Sequence, residues 1–258
     1  MTLPGCLRWA SGPVCLGLCL TLALDRPPAR GAAPRSGEVA GEVVYQGPPV
    51  SARGVRVTRD SRVCGPAQPA GDLVVADGRL VHAVITLEAR GTKPGPATGR
   101  AAGSGEGGAP TLPVLDQKGC RFAPRVLVVP PGSRIRVLNP DGVLHTVEVS
   151  GAGARLDLAM EPGRRESVIS LAGKFDRPEV LAVRCSAHPW MAAWIVITES
   201  PHAAVTDGAG RFRLPAVAPG RYALSVWHER FGVRVSEIEV RSGEVTRPSF
   251  RVGDAESR

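Results

Sequence analysis

The residues with the clearest chemical potential lie close together in the segment Cys185-Ser-Ala-His188-Pro-Trp-Met191, and a second histidine, His145, lies upstream of it. Two imidazoles, one thiolate and a weakly bound thioether are the donors of a trigonal blue-copper site. The soft thiolate favours Cu(I), whereas imidazole suits both oxidation states. These residue types therefore favour a copper site that cycles by one electron.

Two predicted strands position these donors. Side chains alternate between the two faces of a strand, so His145 shares a face with Val147 and Val149. Cys185 likewise shares a face with the apolar residues two and four positions before it. Both donors therefore point towards the core side at strand ends, where a loop can close over them.

Short apolar runs with a period of two recur along the chain, and turn signals such as Pro130-Pro131-Gly132 separate them. This pattern predicts an all-β fold of sandwich or barrel type. The predicted strands are 38–45, 54–58, 80–88, 125–129, 133–138, 143–149, 167–171, 180–185 and 192–198.

Residues 112–199 resemble the amicyanin/plastocyanin-like cupredoxins, both in the Cys185-x-x-His188-x-x-Met191 spacing and in the strand that leads to His145. The resemblance implies a Greek-key β-sandwich with one type 1 copper. By motif match, the ligands are His145, Cys185, His188 and Met191. The implied function is one-electron transfer, without turnover of a substrate, so the protein is not expected to be an enzyme.

The resemblance also implies a docking surface for a redox partner, such as a cytochrome or a dehydrogenase. Pro189, Trp190 and Ala192 would surround an exposed edge of His188 that serves as the electron port; the alternative is a buried Trp190 that packs the loop. Thr146 departs from the family, which often carries Asn after the first histidine to brace the ligand loop. We expect Thr146 to brace it less well.

Residues 200–252 resemble the carboxypeptidase regulatory-like domain, a small transthyretin-like β-sandwich. The matching motifs are Thr206-Asp207-Gly208, Gly210-Arg-Phe212 and Val217-Ala-Pro219-Gly220-Arg-Tyr222-Ala-Leu224. Such domains have a scaffold or adhesion role, and no catalytic motif is evident in this segment.

The Gly-x-Val strand that opens such domains is missing before Ala204 but occurs at Gly41-Glu-Val43. We therefore predict that residues 37–90 and 200–252 build one sandwich, with the copper domain inserted between them. Residues 91–111 are rich in Gly and Pro, which is typical of a flexible insertion.

Three of the six cysteines lie near the N-terminus, which leaves Cys64, Cys120 and Cys185. An odd number in an oxidising compartment leaves one thiol over, and a metal would occupy it. If Cys185 holds the metal, Cys64 and Cys120 are a candidate disulfide. Two free thiols or a second metal site are the alternatives. The other histidines (82, 202 and 228) are expected to be structural, although His228 is also a candidate for a further copper contact or a weak second site.

Residues 1–33 are predicted to be a signal peptide, with a basic Arg8, an apolar run over 14–24 and small residues after it. An uncleaved anchor is the alternative. The mature chain would be periplasmic or secreted, without a membrane span. The net charge of +8 is dispersed rather than concentrated in a stripe, which argues against nucleic-acid binding.

Other functions remain open on the sequence alone. Cys185 with two histidines can bind zinc, although Met is a poor zinc ligand, and a catalytic Cys/His pair lacks an evident orienting group. A multicopper oxidase is disfavoured because no His-x-His pair occurs. The main alternative to electron transfer is a β-sandwich binding or adhesion protein in which copper is structural, stored or absent.

Overall fold

The computed structural model describes residues 35–51, 54–91 and 111–253. Within them it has one short helix, α1 (Ser61–Cys64), and twenty strands. The strands are β1 Gly37–Tyr45, β2 Gly54–Arg56, β3 Ala67–Pro69, β4 Val75–Ala76, β5 Arg79–Leu80, β6 Val84–Ala89, β7 Val114–Asp116, β8 Val126–Val129, β9 Arg134–Leu138, β10 His145–Ser150, β11 Arg155–Met160, β12 Glu166–Ser170, β13 Glu179–Arg184, β14 Ala192–Ile197, β15 Ala203–Val205, β16 Arg211–Val217, β17 Gly220–His228, β18 Gly232–Val240, β19 Val245–Thr246 and β20 Ser249–Val252.

The predicted signal peptide and residues 92–110 of the predicted insertion lie outside the described residues. Among the residues that are described, no helix has the length and hydropathy needed to cross a bilayer. The all-β prediction is confirmed.

Strands from both ends of the chain build a first sandwich. In one sheet, β1 pairs antiparallel with β16 and β5 and parallel with β19 and β20. The other sheet has the order β15-β6-β17-β18. Buried residues from both sheets, including Val39, Leu214, Ile85 and Leu224, form one core. This pairing supports the proposal that strands from residues 37–90 and 200–252 form a single domain, although residues 54–69 pack on the other sandwich.

The intervening segment builds a second sandwich. Its larger sheet has the order β11-β10-β13-β14-β8, and its smaller sheet has the order β12-β9-β7. Two pairs are parallel, β14 with β8 and β7 with β9. Ile135, Val147 and Leu181 are fully buried between the sheets. The larger sheet carries the ends of β10 and β13, from which the predicted donors extend.

The predicted strand 80–88 is two strands, because the chain changes sheet within it. Leu80 ends β5 and Val84 begins β6, with His82 between them in a left-handed conformation at φ 67°. The Thr206 hydroxyl accepts from the Ala83 amide and donates to the Leu80 carbonyl, both at 2.9 Å. The break allows β5 to pair with β1 and β6 to pair with β17, so one apolar run serves both sheets of the first sandwich.

Among the residues that the structure describes, the two sandwiches meet through an apolar cluster and an ion pair. The rings of Trp194 and Trp227 contact edge to face with their centroids 5.6 Å apart. The Arg125 guanidinium donates to both carboxylate oxygens of Glu229 at 2.7 and 2.8 Å, and both side chains are largely buried. Such bidentate geometry fixes orientation as well as distance.

His228 lies beside Glu229 and is buried against Phe231, with ring centroids 5.4 Å apart. Burial, followed by the charges of His82 and Arg125, lowers the pKa of His228 from 6.5 to about 4. The unfolded chain therefore binds a proton between pH 6.5 and about 4 that the folded chain does not, and stability is lost as the pH falls through this window.

We expect the metal-free protein to lose about 3 kcal/mol of unfolding free energy through this residue between pH 7 and pH 4. Urea unfolding of wild type and His228→Gln across this range isolates the effect, since every other histidine is shared. As the pH falls, the free energy of unfolding should decrease more steeply for wild type than for His228→Gln. Parallel curves would show that His228 does not titrate as its burial requires.

Candidate metal centre

Three of the four predicted ligands converge in the second sandwich. His145 is the first residue of β10, and Cys185 directly follows β13, its antiparallel neighbour. His188 lies in the loop between β13 and β14. The Nδ1 atoms of the two histidines are 3.0 Å apart, and Cys185 Sγ is 3.7 Å from His188 Nδ1. All three side chains are buried.

Met191 closes the same loop, and its amide donates to the His188 carbonyl at 2.9 Å. This bond forms a tight turn that leads into β14. The Met191 side chain is buried in the core cluster that also contains Cys185. Met191 thus lies in the buried environment that a weak thioether ligand needs.

Each histidine binds a carboxylate on the far side of its ring. His145 Nε2 is 3.0 Å from Asp141 Oδ2, and His188 Nε2 is 3.0 Å from Asp60 Oδ2. Since a carboxylate only accepts, Nε2 carries the proton and Nδ1 presents its lone pair to the site. Two lone pairs that face each other at 3.0 Å repel unless a proton or a metal ion lies between them. Two imidazoles and a thiolate are also donors that copper prefers, so the residues fit this metal.

The local electrostatics keep His145 neutral, as a ligand must be. Burial lowers the pKa of His145 below its ordinary value, although the hydrogen bond with Asp141 opposes this change. Burial alone would raise the pKa of Asp141. The amides of Cys120 and Gly119 and the His145 ring together hold it below its usual range. Asp141 therefore remains an acceptor for His145.

Thr146 braces the ligand loop. Its hydroxyl accepts from the Ser186 amide at 2.8 Å, and its own amide donates to Cys185 Sγ at 3.3 Å. Asn139, which is buried, braces the preceding turn by donating to the carbonyls of Val143 and Met160. Thr146 was expected to brace the loop less well than Asn, but its hydroxyl bonds directly to the ligand loop.

A cap segment, residues 54–69, lies over the site. It comprises β2, α1 and β3, and the Cys64–Cys120 disulfide ties it to the second sandwich. Val57 and Cys64 are buried in the core of that sandwich. The side-chain amide of Gln68 donates to the carbonyls of Cys64 and Gly119. The cap segment is therefore fixed to the second sandwich by covalent, apolar and polar contacts.

The prediction that His188 has an exposed edge is wrong, because the cap segment covers the ring. His188 has 0% exposure, and a disulfide sulfur lies within 4.8 Å of one of its ring nitrogens. Trp190 packs on His188 with ring centroids 5.1 Å apart and donates through Nε1 to the Cys120 carbonyl at 3.2 Å. Trp190 therefore packs the loop, as the alternative has it, but it is only partly buried, and Pro189 remains exposed.

Asp60 and Asp141 are functional-site residues that were not predicted from the sequence. Asp141 had a local signal, because it precedes His145 by four residues within a turn. Asp60 had none, since 128 residues separate it from His188. Among the described residues, the groups with metal-binding geometry include none of the histidines at 82, 202 and 228.

Comparison with known proteins gives one family match and several structural ones. The carboxypeptidase regulatory-like domain matches residues 186–253, which confirms the resemblance predicted for residues 200–252. The match also includes β14, which in this structure pairs with β13 and β8 in the second sandwich. No curated protein matches the chain.

Among solved structures, the chain is similar to a Cu-containing nitrite reductase from Thermus scotoductus SA-01, with 21% identity over 40% of this chain and a TM-score of 0.29. The match spans 25% of that enzyme. Amicyanin from Paracoccus versutus is 14% identical over 44% of this chain and 98% of its own, with a TM-score of 0.29. A reduced Cu(I) form of an amicyanin point mutant has 18% identity and a TM-score of 0.30, over 44% of this chain and 99% of its own.

The disulfide closes a long stretch of chain, since its cysteines are 56 positions apart. Removing it in the double variant Cys64→Ala/Cys120→Ala should lower the free energy of unfolding by about 4 kcal/mol, because the unfolded chain regains loop entropy. Guanidinium unfolding of the metal-free protein measures the change. Cys185→Ala, which also removes a buried thiol, is the control and should cost much less. Equal losses in the two variants would contradict the assignment.

Proposed function

We propose that the protein is an exported type 1 copper protein that carries single electrons, with one copper on His145, Cys185, His188 and Met191. The convergence of two imidazole Nδ1 atoms and one thiol, all buried, is the observation that carries the proposal. Bound copper would supply the redox step by cycling between Cu(I) and Cu(II).

The protein's own residues would keep the donors in place through that cycle. The carboxylates of Asp60 and Asp141 orient the two rings, and Thr146 bonds to the ligand loop and to Cys185 Sγ. Met191 and the surrounding core exclude water from the centre. Donors that move little between two oxidation states keep the reorganisation small, which makes electron transfer fast.

The remaining assignments follow from this role. Residues 1–33 would direct export, and the Cys64–Cys120 disulfide supports a periplasmic or secreted location, since such bonds persist in oxidising compartments. The partner would be a redox protein such as a cytochrome or a dehydrogenase. No substrate would be turned over. Residues 112–199 would form the copper domain, and the regulatory-like sandwich would act as its scaffold.

The burial of His188 favours a second candidate, a binding protein in which the copper is stored or structural. A closed site releases its metal slowly and offers no bare imidazole to a partner. The two candidates share the ligands and differ in whether the bound metal exchanges electrons with a partner.

Addition of Cu(II) to the mature, disulfide-intact protein should produce an intense blue thiolate-to-copper absorption band. Cys185→Ser should abolish the band, because the hydroxyl cannot replace the thiolate. His202→Gln is the control and should keep it, since His202 lies outside the site. A folded wild-type protein that stays colourless would exclude a type 1 site.

Voltammetry of the blue protein then separates the two candidates. A reversible one-electron wave, together with rapid exchange with a soluble cytochrome, would support the carrier. A blue protein that exchanges electrons with neither the electrode nor the cytochrome would support storage.

A further inference from the structure

We propose that Asp60, which lies outside the second sandwich, is a positioning residue for the metal centre: it holds His188 and favours the Cu(II) form. The inference rests on the proposed copper site and deepens it. The observation behind it is the 3.0 Å contact between Asp60 Oδ2 and His188 Nε2, on a ring that is fully buried.

The carboxylate of Asp60 is directed away from its own helix. Asp60 occupies the N-cap position of α1, where an aspartate ordinarily accepts from the first amides of the helix. Here the side chain makes no capping hydrogen bond, and the amides of Val63 and Cys64 bond to the Asp60 carbonyl instead. The residue also adopts a left-handed conformation at φ 54°, which aspartate tolerates better than most residues other than glycine. The carboxylate is thus not used to cap the helix and contacts His188.

The position of Asp60 is enforced from the second sandwich through Cys120. The Cys120 sulfur bonds to Cys64, the last residue of α1. The Cys120 amide donates to Asp141 at 2.8 Å, and Asp141 holds the other histidine. Cys120 therefore anchors both carboxylates that orient the two rings. The positions of the two imidazoles are linked through this residue.

The chemical effect follows from the charge. A carboxylate on Nε2–H fixes the tautomer, orients the ring and raises the basicity of Nδ1. A more basic ligand stabilises the more highly charged metal, so Asp60 lowers the reduction potential. Because the carboxylate also covers the ring edge, a partner that approaches His188 meets an acidic group of the cap segment instead of a bare imidazole.

Two variants separate the charge of Asp60 from its hydrogen bond. Asp60→Asn keeps an acceptor but removes the charge, and Asp60→Ala removes both. Asp77→Asn is the matched control, because Asp77 is exposed and is also left-handed, at φ 48°. Mass spectrometry of the disulfide and the unfolding midpoint verify that each variant folds.

For Asp60→Asn we expect Cu(II) affinity, measured by competition with a chelator, to fall at least about tenfold, with a smaller change for Cu(I). A tenfold change in their ratio raises the potential of a one-electron couple by about 59 mV. In the metal-free protein, the ¹⁵N NMR spectrum should show His188 protonated at Nε2 in wild type and Asp60→Asn. In Asp60→Ala it should show a mixture of tautomers.

Potentials and affinities of both Asp60 variants that equal those of Asp77→Asn would overturn the inference. If wild type binds no copper, the proposed function fails, and with it the effect on the potential. The metal-free NMR measurement then decides the positioning role by itself: a His188 tautomer that is unaffected by Asp60→Ala would refute it.

Discussion

The ladder formed by β1 is the interaction on which the rest of the architecture depends. This strand pairs with β16, β19 and β20 at the far end of the chain, and its core residues Val39 and Val43 are fully buried. Residues 37–45 and 211–252 are therefore fixed in one sandwich, and the segment between them must leave that sandwich and return to it. A sandwich inserted in this way is held at both its entry and its exit.

This topology explains how residues from the N-terminal part of the chain reach the metal centre. After β1 the chain runs along the second sandwich as the cap segment before it returns to β4 and β5. The donors come from the second sandwich, but Asp60 and Cys64 come from the cap segment. The centre therefore depends on the cap segment, which follows β1 in the chain, for one of its two carboxylates and for its cover.

The sequence predicts the parts of the site that depend on local spacing and strand alternation. It does not predict contacts between residues that are far apart in the chain. The loop that holds Cys185 and His188 has a short, fixed spacing, and strand alternation placed His145 on the same side; these three residues do converge. The single apolar run at 80–88 could not reveal a change of sheet, because both halves are buried and periodicity is the same on either side. The contact of Asp60 with His188 depends on a strand ladder and a disulfide that no local pattern encodes.

Covering His188 alters what the site can do. An exposed imidazole edge allows close contact with a partner but also lets water reach the metal. In this chain the disulfide, Trp190 and Asp60 fill that space, so the ring is fully buried and both of its nitrogens have defined partners. The cover keeps a partner from touching the His188 ring, and it holds the ring in a fixed position. If the protein is the proposed electron carrier, its partner would have to make electronic contact through the cap segment, and its affinity for that surface would depend on the acidic Asp60. In the proposed copper protein, recognition of a partner and tuning of the metal would thus both involve Asp60, a side chain of the cap segment.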